Sequence, residues 1–281
     1  MAQETNTKEQ YLLHLLSCAL KGRKPVEKPD EVSWEEIFEF AIMHNVANIA
    51  CNGIERLFRK PDEELWRRWK EVRNKAGIDD VTFKAEQRKV CILLSEVGIR
   101  CLPLNGKWIK DQYPSTDMRF MSVLDILIDE ENEEKVRDIL VVDGFIYEQH
   151  GAGPYDVYRK QPIIDVEVYS TLLSGKTETI SGSYEECFSH AAPIPGRPYV
   201  YEMPIEEAYV YYISNLHRQY SSGIAIQLIM DIYLIRKNHR DTWDEEKIRW
   251  FLSEIKLQAF EQEMREAAEY WFGGDEPTCF I

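Results

Sequence analysis

Apolar residues recur at helical spacing through SWEEIFEFAIMHNVANIACNGIERLF, beginning with Ile37, Phe40 and Ala41, and Ser33 followed by Glu36 has the spacing of a capping box. The pattern predicts one helix there. Residues 62–98 keep the same period in charged and apolar positions, with Gly77 as the single weak point, so the first ninety or so residues are expected to be all-helical. At GIRCLPLNG the period changes: a short apolar run begins after Gly98 and stops at Gly106, as a strand entering a loop would. VLDILI reads as a second strand and DEENEEKVRDILVVDG as a helix capped by Asp129 and closed at Gly144. DVYRK and IIDVEVY read as a third and a fourth strand. A Ser/Gly/Thr stretch near 174–183 and the Pro-rich HAAPIPGRP follow. Helical period then returns in PIEEAYVYYISNLHRQY, GIAIQLIMDIYLIRK and DEEKIRWFLSEIKLQAFEQEMREAAEYWF. The order predicts an α+β fold: a helical region over 1–90, a mixed α/β core over 91–200 and a second helical region over 201–281.

With 281 residues, 44% of them hydrophobic, the chain can bury a sizeable core divided into two or three subdomains. No apolar run approaches the roughly 18 residues of a membrane span, and MAQETNTKEQ lacks a charged-then-apolar signal pattern, so a cytoplasmic protein is expected. A formal net charge of -15 repels nucleic acid and anionic membranes. The densest basic stretch, RKPDEELWRRWKEVRNK, alternates its charges at helical spacing and reads as a solvated helix face. Six scattered cysteines without a C-x-x-C pair read as buried or incidental thiols.

Candidate chemistry centres on Asp125, a lone carboxylate flanked by Val123, Leu124, Ile126, Leu127 and Ile128. An unpaired charge in an apolar interior is costly, so a metal, a cation or water should compensate it. In IIDVEVY, strand alternation projects Asp165 and Glu167 from one face. If the two strands are neighbours, the three acids converge near Gly106, where a residue without a side chain lets a phosphate approach the backbone. Divalent-metal phosphoryl or nucleotidyl transfer needs that layout; strand carboxylates paired with Lys or Arg are the plainer alternative. Lys107 reads either as a phosphate contact or as a solvent-facing loop lysine, His44 as a structural residue, His150 as a loop residue, and His217 as either lining a pocket or facing solvent.

The segment LPLNGKWIKDQYPSTDMRFMSVLDILI resembles a bacterial family of nucleotidyltransferase-like proteins of the polymerase-beta type, whose pattern runs L-K-G, Y-P, then R-x-M-x-D-x-D-I-L-V. Gly106, Tyr113, Pro114, Arg119, Met121, Asp125, Ile126 and Leu127 match it, and Asp165 falls on the third acidic position. FAIMHNVANIA, DGF, PIEEAYVYYI and GIAIQLIMDIY extend the resemblance over nearly the whole chain. It implies a small mixed sheet flanked by helical regions, and transfer of a nucleoside monophosphate from a nucleoside triphosphate to an acceptor with Mg2+. Asp125 and Asp165 would hold metal, Asp125, Asp165 and Glu167 would form the catalytic acids, and Gly106, Lys107 and Arg119 would bind nucleotide. The departures fall on polar functional positions: Asn105 for Lys, Val123 for the first Asp of D-x-D, Glu167 for His, Asn215 and Gln219 for two His, and Gln227 for Arg, with Asp231 retained. Three readings follow. The protein is a fold member with a degraded site, or an active enzyme on Asp125, Asp165 and Glu167 with a small, cationic acceptor, or a non-catalytic binding or regulatory protein. The sequence names no protein partner.

Overall fold

A computed structural model describes residues 7–148, 155–161, 164–170, 187–220 and 225–274. Helix α1 (Lys8–Lys21) opens with a reciprocal capping box, in which the Thr7 amide donates to Gln10 Oε1 (2.9 Å) and the Gln10 amide donates to Thr7 Oγ1 (3.3 Å). The box expected at Ser33 does not form: Ser33 sits at the N-cap of α2 (Trp34–Met43), but its side chain makes no capping hydrogen bond. The single helix expected here is also two. The chain turns through His44–Val46, with Asn45 at φ 55°, before α3 (Ala47–Ile54). Asn tolerates that left-handed conformation, and a helical apolar period looks the same whether one helix or two short ones deliver it to the core. Helix α4 (Glu63–Glu96), capped by the Asp62 side chain, runs unbroken through Gly77 and across residue 90. Leu12, Leu15, Ile49, Trp69 and Phe83 are fully buried where the first four helices meet.

Strand β1 (Cys101–Pro103), helix α5 (Lys107–Lys110), a 3-10 turn (Thr116–Met118) and β2 (Val123–Ile128) follow. Next come α6 (Glu133–Val142), β3 (Ile146–Glu148), β4 (Tyr155–Lys160) and β5 (Ile164–Tyr169). The sheet order is β1-β2-β5-β4-β3, with β2 and β5 parallel and every other pair antiparallel. Edge strand β3 has no counterpart in the sequence reading, since three half-exposed residues carry no period. Asp129 does not cap α6; Arg100 binds its carboxylate (Nε to Oδ2, 3.0 Å), and a 3-10 turn over Glu130–Asn132 leads into the helix. Gly144, at φ 93°, closes α6 as expected, with Phe145 N–H returning to Leu140 O (3.0 Å).

After α7 (Cys187–His190), a two-stranded ribbon of β6 (Ala192–Pro193) and β7 (Tyr201–Glu202) lies beside β1, bridged through Cys101 and Val200. Helices α8 (Ile205–Gln219), α9 (Ile226–His239), α10 (Glu245–Glu254) and α11 (Gln258–Phe272) complete the chain. The last predicted helical segment divides at Ile255–Leu257, where Lys256 takes φ 58°. The two helical regions meet: α1 packs against α11, and Lys21 Nζ donates to Gly274 O at 2.6 Å. Among the described residues no helix is long and apolar enough to cross a membrane. Cys18, Cys51, Cys91 and Cys101 are buried and free, as expected. His150, the Gly151–Gly153 loop and the Ser/Gly/Thr stretch lie outside the described residues.

Candidate functional site

The parallel register of β2 and β5 sets Val123 opposite Asp165 and Asp125 opposite Glu167, so these four side chains leave the sheet on one face. The neighbouring strands expected for Asp125 and Asp165 are therefore present. Their surroundings differ. Asp165 stands 3.8 Å from Arg159 Nε on β4, both side chains well exposed. Glu167 accepts a hydrogen bond from Tyr169 Oη at 2.9 Å. Asp125 instead forms part of the wall of a pocket of about 250 Å³ between β2, the β1–α5 loop, α8, α9 and the corner at Asn45.

Asp125 has no ion-pair partner among the described residues. Burial, and then the charge of Glu167, push its carboxyl up to about 8, while Arg218 and Asn105 pull in the other direction and lose. Asp125 is half-buried and accessible from the pocket, and the apolar strand and Glu167 around it set its affinity for a proton. At neutral pH most molecules keep that proton. Without a cation beside it, the carboxyl of this apolar strand is compensated by taking up a proton.

Arg119 also reaches the pocket wall, but its guanidinium is engaged elsewhere. Its Nε lies 2.8 and 2.9 Å from the two oxygens of Asp231, its Nη2 lies 2.7 Å from Oδ2, and its Nη1 donates to Gln227 Oε1 at 3.0 Å. Asp231 is fully buried and accepts two further bonds, from Tyr113 Oη (2.6 Å) and Tyr212 Oη (2.9 Å). This hub joins the segment before β2 to α8 and α9. A guanidinium saturated by a buried carboxylate has little left for phosphate.

The loop after β1 is held by Asn105, whose amide donates to Val123 O (3.2 Å) and accepts from Asp125 N–H (3.1 Å). A lysine has no acceptor and could not make both bonds. Gly106 follows at φ 92°, ψ -119°, and a Cβ there would lie 2.6 Å from the amide nitrogen of Gln87 on α4. The glycine answers both a backbone conformation and a close helix approach. Gly106→Ala should cost about 1–3 kcal/mol, chiefly backbone strain because the buried Gln87 amide can shift a little, and a urea melt reads it directly. Lys107 turns outward, 72% exposed, and pairs with Asp111 one turn along α5; it is not among the residues that form the pocket.

Of the residues singled out from sequence, Asp125 and Arg119 therefore line the pocket, whereas Asp165, Glu167, Gly106 and Lys107 stand beside it. The departures gather more tightly than the matches: Asn105, Val123, Asn215, Gln219 and Gln227 all line that one pocket. Tyr211 and Tyr212 are among the lining residues that sequence reading missed. Aromatics at helical spacing in AYVYYI read as core, and nothing in the period separates a core tyrosine from one whose hydroxyl meets a cavity. His44 is structural, with its Nδ1 accepting from Ile226 N–H (3.3 Å) and its ring edge-on to Phe40. Among the described residues no group of three or more His, Cys, Asp or Glu side chains is placed to hold a metal ion. Val123 offers only methyl groups where the resemblance implies the first carboxylate of the pair, so the donors present do not fit that two-carboxylate metal site.

The profile of a family described as "Uncharacterised nucleotidyltransferase" matches residues 30–273, from the approach to α2 through the end of α11. The chain belongs to this nucleotidyltransferase family. No curated protein matches it. Two solved structures of the antibiotic-resistance factor ANT(2'')-Ia are similar. Its solution structure is 14% identical over 67% of this chain and 98% of that one, with a TM-score of 0.45. Its crystal structure with adenylyl-2''-tobramycin is 13% identical over 65% and 97%, with a TM-score of 0.42. The match covers the sheet, the pocket and the flanking helices other than α1.

Proposed function

We propose that this nucleotidyltransferase-family protein uses its pocket to bind a small molecule and does not carry out magnesium-assisted transfer of a nucleoside monophosphate. The observation that carries the reading is the make-up of the wall: Asp125 is the single acid among the described lining residues, and Val123 stands beside it where the resembled pattern has a second. Magnesium binds through anionic oxygens supplied by one or two carboxylates together with substrate phosphates. One aspartate and a valine supply a single carboxylate where the resembled pattern has two. Of the cations suggested for the triphosphate, Arg119 is engaged by buried Asp231, and Lys107 points to solvent outside the pocket lining.

The test is calorimetric titration of the full chain with ATP, GTP, CTP and UTP, with and without magnesium, alongside an assay for pyrophosphate released when amino sugars such as glucosamine are supplied as acceptors. The expected result is no magnesium-dependent gain in affinity and no pyrophosphate. Magnesium-dependent binding with pyrophosphate release would overturn the proposal in favour of an active enzyme in which Asp125, Asp165 and Glu167 act together on a cationic acceptor.

A further inference from the structure

Two of the buried cysteines face each other across a junction of the fold. Cys91, near the C-terminal end of α4, is 4% exposed, Cys101, the first residue of β1, is fully buried, and the Cys101 thiol donates a hydrogen bond to the Cys91 sulfur. Cys18 lies instead 3.8 Å from the ring nitrogens of His14, and Cys51 lies near Arg73, Glu55 and Lys70; neither interacts with another cysteine among the described residues. An isolated buried cysteine is a small, inert apolar side chain. A second thiol in contact with it adds the option of a bond.

The two sulfurs are not equivalent. The hydrogen bond from Cys101, together with the charge of Arg197 from the turn between β6 and β7, favours the Cys91 thiolate against the opposing effect of burial, whereas the same contact and burial hold the proton on Cys101. Cys91 is therefore the nucleophile of the pair, with a resolving thiol beside it. Its small exposure favours a small oxidant over a bulky disulfide.

The position of the pair gives the bond a consequence. Gly98 at φ 75° reverses the chain after α4, with Ile99 N–H returning to Leu94 O (3.0 Å), so β1 comes back alongside the helix. Gln87, one turn before Cys91, packs on Gly106, and β1 leads from Cys101 into Leu104 and Asn105, which line the pocket. A covalent link here would hold the root of that loop.

We infer that Cys91 and Cys101 are a redox pair, which a peroxide oxidises to a disulfide that ties the end of α4 to β1 and stiffens the loop walling the pocket. The Cys91 thiolate attacks one oxygen of hydrogen peroxide; an S–O bond forms, the O–O bond breaks, and the departing hydroxide is protonated to water. The Cys101 sulfur then attacks the sulfenic sulfur of Cys91; the S–S bond forms, the S–O bond breaks, and the second hydroxide leaves as water with the Cys101 proton. The two thiols are oxidised and the peroxide is reduced to water. A dithiol such as dithiothreitol reverses the change.

Peptide mapping of the folded full chain, treated with hydrogen peroxide and then alkylated, tests the inference. Trypsin cuts after Lys89, Arg100 and Lys107, so the bridge appears as VCILLSEVGIR joined to CLPLNGK, lighter by two hydrogens than the two thiol peptides together and separated by dithiothreitol. That species should be the main oxidation product, and Cys101→Ala should stop at a Cys91 sulfenic acid that dimedone traps. In the oxidised natural protein, amide hydrogen exchange over residues 102–107 should slow at least about threefold relative to the reduced protein. The inference is overturned if the linked peptides are absent, if Cys91 or Cys101 pairs mainly with another cysteine, or if exchange in the loop is the same in both states. None of these readouts depends on what the pocket binds.

Discussion

Asp231→Ala is expected to destabilise the protein by roughly 3–5 kcal/mol, the cost of removing one partner from a buried ion pair. The residue is fully buried and accepts from Arg119, Tyr113 and Tyr212 together. Its loss strands a guanidinium that is 8% exposed and leaves two phenols without their acceptor. Burial, followed by the nearby Asp231 charge, holds both tyrosines well above their ordinary pKa, so neither can ionise to take over. Urea denaturation should show a lowered midpoint at unchanged slope. Asp231→Asn should fall between, keeping an acceptor for a phenol while losing the charge. The double change Arg119→Met, Asp231→Leu should recover most of the loss, because a buried pair replaced as a whole leaves no orphaned charge. A loss below about 1 kcal/mol for Asp231→Ala would show that the hub contributes no more than an exposed pair.

Asp125→Asn is expected to stabilise the protein at neutral and alkaline pH. The folded state raises this carboxyl from 3.8 to about 8, so the folded protein holds a proton that the unfolded chain has released. The contribution of Asp125 to stability is therefore fully present below about pH 4, is lost as pH rises from 4 to 8, and levels off above. At about 1.4 kcal/mol per tenfold in proton affinity the sealed-site limit is roughly 5–6 kcal/mol. Access from the pocket screens the group and leaves roughly 2–3 kcal/mol. Thermal melts of the two proteins at pH 4 and pH 9 should coincide at the lower pH and separate by several degrees at the higher, with the asparagine variant more stable. Equal melting temperatures at both values would mean that Asp125 titrates as an ordinary carboxylate. The groups facing it, Glu167 and Tyr169 from β5, Arg218 and Tyr211 from α8 and Asn105 from the loop, are the same in both proteins.

How much of this was legible beforehand depends on the range of the interaction concerned. The helix and strand types followed from period, because the faces that alternate or recur along the chain are those that the core removes from water. The breaks did not. Asn45 and Lys256 turn the chain at positive φ within segments whose apolar spacing continues across them, and only packing shows that the direction has changed. Capping failed in a related way. Ser33 has the right neighbour three residues on but forms no box, while Thr7 forms one with a glutamine before any apolar stripe had drawn notice.

The sequence by itself determined that this is an α+β protein with a mixed sheet between helical regions, that one strand bears an isolated acid, and which polar positions depart from the nucleotidyltransferase pattern. These properties are local, written in period, composition and motif. Only the tertiary structure decided what the residues do. Arg119 and Asp231 are 112 positions apart and meet because α9 packs beside the segment leading into β2, so a guanidinium expected to meet phosphate is consumed in the interior. Register sets Asp165 against Val123 and within reach of Arg159, while Asp125 shares a pocket with the amides of α8. A side chain's charge state and availability depend on every neighbour within a few ångströms, and most of those neighbours come from elsewhere in the chain.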